Sequence, residues 1–210
     1  MKLIGRNMSP FVRRVAISLR ELGQEFEQEW LSTADHKDEI RNYNPLGRVP
    51  ALVLDNGTRL IDSGAILSAI DMTVPEERRL VPADIAGHIA VNQLCAIAIG
   101  AVEKAVLSFY ERTRRPEELR WAQAIEDYDR QTADGLTVLN SIAQDTADTT
   151  GHFHGERLTQ ADITVAVVFA FVGRVNPELL ERHKFSSLQA HSDRCGQIES
   201  FLQSGIDQAH

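Results

Sequence analysis

The sequence predicts two domains of different class: an α/β layer in the order βαβαββα, then an all-helical domain. Three observations predict it. A short strand signal at the start of the chain runs directly into an amphipathic helix. Two apolar runs flank Asn56-Gly57, the strongest short hairpin signal. Beyond a charged segment with two prolines at residues 74–87, nearly every apolar pattern has the helical period.

The elements follow in order. "KLIG" reads as the first strand. "SPFVRRVAISLRELG" sets Val12, Val15, Leu19 and Leu22 on one stripe, with Gly23 at the C-cap position. Ser9 and Pro10 stand at its N-cap and first turn. "EFEQEWL" alternates Phe26, Gln28 and Trp30 with Glu25, Glu27 and Glu29, a strand pattern that leaves the buried face open. "DHKDEIRNY" is a short polar helix or turn, "PALVLDNGTRLI" the hairpin, and "SGAILSAIDMT" the third helix. The first domain is therefore expected at 1–75, a linker at 76–87 and the helical domain at 88–210. Within the latter, residues 84–112 and 117–145 are long periodic stretches, and "TADTTGHFHGERLT" is a polar loop. "QADITVAVVFAFVGRV" is a buried helix, followed by "NPELLERH" and further short helices. Thr159 and Asp162 form a capping box before the apolar run, a folding signal rather than a site.

Composition narrows the function. The chain has 210 residues, 43% of them hydrophobic and 25% charged, with a formal net charge of −8. That balance excludes a non-specific nucleic-acid binder, which needs a basic face. No dense Lys/Arg block addresses an anionic membrane. The longest near-continuous apolar run, residues 163–173, falls short of the roughly 20 residues of a membrane span. The opening residues turn polar too soon for a signal peptide. Two cysteines, Cys95 and Cys195, suit a reduced, cytoplasmic setting and are read as packing or surface residues.

Three stretches carry candidate chemistry. In "NPLGRVPALV" a cis Val49–Pro50 bond would hold a tight turn, leaving the backbone of Val49 to pair with an extended ligand; a plain turn is the alternative. In "LIDSGAIL", Asp62 and Ser63 stand where a strand meets a helix. They are N-cap candidates, and equally an anion site beside an acid, which suits an amino-acid head group. Ser9 is an N-cap candidate whose hydroxyl can also donate to a thiolate at a helix N-terminus. Ser9 and Val12 occupy both positions of a Cys-x-x-Cys spacing, so dithiol redox chemistry is excluded there. Arg13 and Arg14 are read as the solvated face of the first helix, with steering of an anionic ligand on an acidic protein as the alternative. His152 and His154 in "GHFHG" are too few for a metal site.

The order βαβαββα, a linker and a helical domain, with Ser-Pro-Phe opening the first helix, "NPLGRVPALV", "DSGAI" and "LTQADI", resembles the glutathione transferase superfamily over nearly the whole chain. The resemblance implies a thioredoxin-like N-terminal domain with glutathione as co-substrate and no metal. It implies Ser9 as the residue that stabilises the glutathione thiolate. Val49, with Pro50 behind it, pairs with the cysteinyl part, and Asp62 and Ser63 hold the γ-glutamyl head group. Lys37 or Arg48 meets the glycine carboxylate. Phe11 and Tyr110 line the pocket of a small hydrophobic electrophile, with a core role open for both. A homodimer follows from the same resemblance, as does a place in detoxification. A non-catalytic binding or regulatory member of the fold and a glutathione-dependent isomerase are the alternatives.

Overall fold

A computed structural model describes residues 1–147 and 149–207. It divides into two compact units, one formed by Met1–Ala83 with the segment from Gly196 onward, the other by Asp84–Cys195.

The first unit is built on a four-stranded sheet: β1 (Lys2–Ile4), β2 (Glu27–Glu29), β3 (Ala51–Val53) and β4 (Arg59–Ile61), in spatial order β2-β1-β3-β4. β1 pairs parallel with β2 and antiparallel with β3, and β3 pairs antiparallel with β4. The helices are α1 (Pro10–Glu21), α2 (Lys37–Arg41) and α3 (Ser63–Asp71). This is the thioredoxin-like arrangement that the resemblance implied. Strand alternation separates the two faces. Ile4 and Ala51 point toward Ile40 of α2, in a cluster with Leu31, Tyr43 and Val49. Leu3 and Leu52, paired in register and both fully buried, take the opposite face, with α1 and α3.

The predicted stripe of α1 is realised. Val12, Val15 and Leu19 are fully buried and Leu22 nearly so, and Gly23 follows with φ of +69°. At the hairpin, Leu54 N–H donates to Thr58 O across Asn56-Gly57. The strand expected over "EFEQEWL" is only three residues long, Glu27–Glu29. Register settles its open face. Gln28 pairs with Leu3 and therefore points to the α1 side, where Arg20 of α1 also stacks on Phe26.

The second unit holds α4 (Ile85–Thr113), α5 (Ala122–Ala147), α6 (Gln160–Val175), α7 (Pro177–His183) and α8 (Ser186–Gly196), whose last residue belongs to the first unit's segment; α9 (Glu199–Leu202) lies wholly in that segment. α5 starts later than the periodicity suggests, because a 3-10 turn at Glu117–Leu119 follows Pro116. α4 packs on both α5 and α6. It is long and apolar enough to cross a membrane by length and composition. Its Val91, Ala98, Ala101 and Val102 are buried in the unit's core. The crossing with α5 is close: a Cβ on Gly135 would lie 2.8 Å from that of Ala101.

Candidate functional site

Ser9 is the N-cap of α1, with an unstrained extended backbone (φ −74°, ψ 121°). Its Oγ accepts a long hydrogen bond from Val12 N–H, 3.4 Å. The hydroxyl proton takes no part in that bond. The residue is half-exposed at the positive end of a 12-residue helix, where an anion is favoured.

Gly5 brings the next segment to this helix. Its φ is +128°, and a Cβ built there would lie 2.5 Å from Val12 Cγ2 and 2.9 Å from Val49 Cβ. Only glycine permits that approach. The end of β1 therefore touches both the first turn of α1 and the loop before β3. In that loop the Val49–Pro50 peptide is cis, and Val49 stands outside the Ala51–Val53 ladder. Asn44, 3% exposed, shapes the turn: its Nδ2 donates to Arg48 O at 2.9 Å and its Oδ1 accepts from Leu46 N–H at 3.0 Å.

Asp62 is the N-cap of α3, and Ser63 its first residue. Asp62 Oδ1 accepts from Gly64 N–H at 2.9 Å. The backbone of Asp62 has φ 62° and ψ 136°, a sparsely populated region for a non-glycine residue that costs about 1–3 kcal/mol unless the surroundings enforce it. Ser63 is buried, and its Oγ accepts from Arg14 Nε at 3.2 Å and Nη2 at 2.9 Å. Its own hydroxyl proton remains for an acceptor at the helix start.

That pairing corrects the expectation of a solvated Arg13 and Arg14. Arg14 is 5% exposed and faces α3; Arg13 is 9% exposed, and its Nε donates to Ser204 O at 2.8 Å. Burial alone pulls the Arg13 pKa below arginine's ordinary value. Arg14 thus stands beside Ser63 at the start of α3 rather than on a solvated face. No local pattern marks this placement, because its partner Ser63 lies 49 residues further along the chain.

The remaining candidates are more loosely placed. Lys37 opens α2, and its Cγ lies 3.5 Å from a Cβ built on Gly47, so its stem runs beside the loop that carries Arg48. Both cations are exposed. Phe11 is half-buried in the first turn of α1. Tyr110 belongs to α4 in the other unit, where the Arg114 guanidinium stacks 3.7 Å from its ring centre and Phe109 lies beside it.

In the second unit, the polar groups at the start of α6 bond to one another. Asp162, fully buried, accepts from Thr159 N–H and Oγ–H at 2.8 and 2.7 Å and from Phe153 N–H at 2.8 Å. His191 sits with Nε2 3.2 Å from Asp162 O and 3.4 Å from Cys195 Sγ. Burial lowers the His191 pKa, with the nearby Asp162 charge opposing it. Both cysteines are free and buried. His152 Nδ1 lies 3.7 Å from Asp162 Oδ1. Among the described residues, no group of three His, Cys, Asp or Glu side chains converges to hold a metal ion.

Residues 3–78 match the family of the glutathione S-transferase N-terminal domain, and residues 122–194 that of the glutathione S-transferase C-terminal domain. A glutathione S-transferase of Methylobacillus flagellatus, solved with glutathione bound, superposes with a TM-score of 0.88 at 26% identity, over 97% of this chain and 98% of that one. One from Methylobacterium radiotolerans, in complex with glutathione sulfonate, gives 0.86 at 30% identity, over 100% and 95%. The GST-like protein YibF of Escherichia coli K12 is 34% identical over 116 residues, 54% of this chain and 56% of YibF. The match thus spans about half the length of that curated relative.

Proposed function

This chain belongs to the glutathione S-transferase family, and on that premise we propose that it is a glutathione transferase that holds the glutathione thiol as a thiolate beside Ser9 and presents it to a small hydrophobic electrophile. The observation that carries this reading is the Ser9 hydroxyl. It caps α1 by accepting from Val12 N–H and keeps its proton for an anion at the helix end.

The energetics are adequate. A free thiol titrates near about 8.5, so only a few per cent is thiolate at neutral pH. Lowering that by about 2 units requires roughly 2.7 kcal/mol of preference for the anion. A hydrogen bond to a charged acceptor contributes about 1.5–3 kcal/mol, and the helix terminus about 0.3–1 kcal/mol. The thiolate then attacks the electrophilic carbon, a C–S bond forms, and the leaving group departs with the electron pair of its bond.

The rest of the tripeptide follows the segments gathered around α1. The backbone of Val49, turned by cis Pro50, pairs with the cysteinyl residue as an added strand. The γ-glutamyl carboxylate meets the N-terminus of α3 and the Ser63 hydroxyl, with the Arg14 guanidinium behind it. Asp62 takes the ammonium group. Lys37 or Arg48 neutralises the glycine carboxylate. Phe11, in the first turn of α1, faces the electrophile. We read the acting form as a cytoplasmic homodimer engaged in detoxification.

The test is calorimetric titration with glutathione, followed by conjugation to an activated aryl chloride. Wild type is expected to bind and turn over. Ser63→Ala is expected to weaken binding about tenfold, or roughly 1.4 kcal/mol. Absence of any binding by wild type rejects the transferase reading and leaves a fold retained for a binding or regulatory role.

A further inference from the structure

The turn that delivers Ser9 is tied to the edge strand β2 by a polar side chain. Gln28 stands in register with fully buried Leu3, on the α1 side of the sheet. Its Nε2 donates one hydrogen to Gly5 O at 2.8 Å and the other to Asn7 Oδ1 at 2.9 Å. Gly5 is held from its other side as well, its N–H donating to Glu29 O at 2.9 Å. Ser9 N–H then donates to Arg6 O at 3.0 Å and closes the turn into α1.

The arrangement has a cost on both amides. Asn7 is fully buried and its Nδ2 has no acceptor; Gln28 Oε1 is buried and has no donor. Native proteins leave few such groups, and each one needs a reason. A simple brace between strand and loop is available to apolar side chains without any orphaned atom. Reversing either amide would set like groups against each other: Gln28 Oε1 against Gly5 O, or Asn7 Nδ2 against Gln28 Nε2. The observed orientation is therefore the one that directs both Gln28 hydrogens to the Ser9 turn.

We infer that Gln28, acting through Asn7 and Gly5, is a positioning residue for Ser9: it sets the turn from which the hydroxyl reaches the thiolate. This rests on the reading of Ser9 given above. Holding a donor within a few tenths of an ångström of its best position is what such a supporting contact supplies at a site.

Gln28→Met keeps the length and volume of the side chain and removes both donors. The experiment is a pH titration of the thiolate absorbance of bound glutathione, with kcat and KM measured across the same range. The expected result is a bound-thiol pKa raised by about one unit, which lowers kcat about threefold at pH 7 and about tenfold at about pH 5.5. Glutathione affinity should stay within about threefold, since the contacts to the tripeptide lie elsewhere, and kcat should approach the wild-type value near pH 9. Asn7→Ala, which removes the second bond only, should shift the pKa in the same direction and serves if Gln28→Met does not survive the titration. A lower unfolding midpoint with an unchanged pKa and kcat would make Gln28 a brace and overturn the inference. Wild type and Ser9→Ala are titrated alongside. If wild type shows no lowered thiol pKa, or Ser9→Ala keeps it, the Ser9 reading and this one fall together. If that pair behaves as expected and Gln28→Met does not shift, only the positioning role falls.

Discussion

The starts of α1 and α3 can be set against the start of α6. All three carry a small polar or acidic residue where N-caps are expected, and their chemistry diverges. At α6 the N-cap is Thr159, and Asp162 three residues on is fully buried and accepts from two N–H groups and a hydroxyl of the same unit. At α1, Ser9 accepts one long bond at 3.4 Å and stays half-exposed. At α3, exposed Asp62 accepts one bond from Gly64 and holds φ at 62°. The first is a folding device. The other two retain hydrogen-bonding capacity and, at Asp62, backbone strain. What distinguishes a site from a cap is the capacity left unfilled, not the residue type.

Substitutions can break this contrast. The largest effect on stability is expected at α6. Asp162→Ala orphans the N–H groups of Thr159 and Phe153, at about 1–3 kcal/mol each, so a total loss of about 3 kcal/mol should appear in chemical denaturation. Gly5→Ala comes next, at about 2–3 kcal/mol, because its Cβ collides with both Val12 and Val49; glutathione affinity should fall with it.

The surroundings of Asp162 also predict a pH effect. Burial holds the His191 pKa below its ordinary 6.5, so on acidification the unfolded chain takes up that proton first. Its contribution to stability is complete above about pH 6.5 and is lost as pH falls from there toward the folded pKa. The thermal midpoint should drop on moving from about pH 7.5 to 5.5, and His191→Gln should flatten that dependence. At the open caps, by contrast, stability should hardly respond. Ser9→Ala should cost about 0.5 kcal/mol, the low end for a lost cap. Asp62→Gly should stay within about 0.5 kcal/mol of wild type, as relief of the positive φ offsets glycine's chain entropy, yet weaken glutathione binding measurably in calorimetry.

Much of this was legible along the chain because the signals were local. The stripe of α1, the Asn56-Gly57 hairpin and the Thr159–Asp162 box each depend on neighbours within a turn or two. Ser9, Asp62 and Ser63 were visible as helix starts for the same reason. Arg14 was not, since its partner Ser63 lies 49 residues away, and Arg13 meets Ser204 at a separation of 191; charge alone suggested solvent. The 3-10 turn after Pro116 was hidden by apolar residues that continued the helical count. Gln28 lay in an alternating pattern with no indication of which face was buried, and only its register with Leu3 resolves it.

In the proposed function, the open cap at Ser9 serves the thiolate. That role is tested most directly by titrating the ultraviolet absorbance of the glutathione thiolate bound to wild type and to Ser9→Ala. Wild type is expected to show a bound-thiol pKa about 2 units below the free value, and the variant a return to near that value with the fold intact. A variant that binds glutathione with the same lowered pKa would contradict that role and would place the thiolate's stabiliser elsewhere.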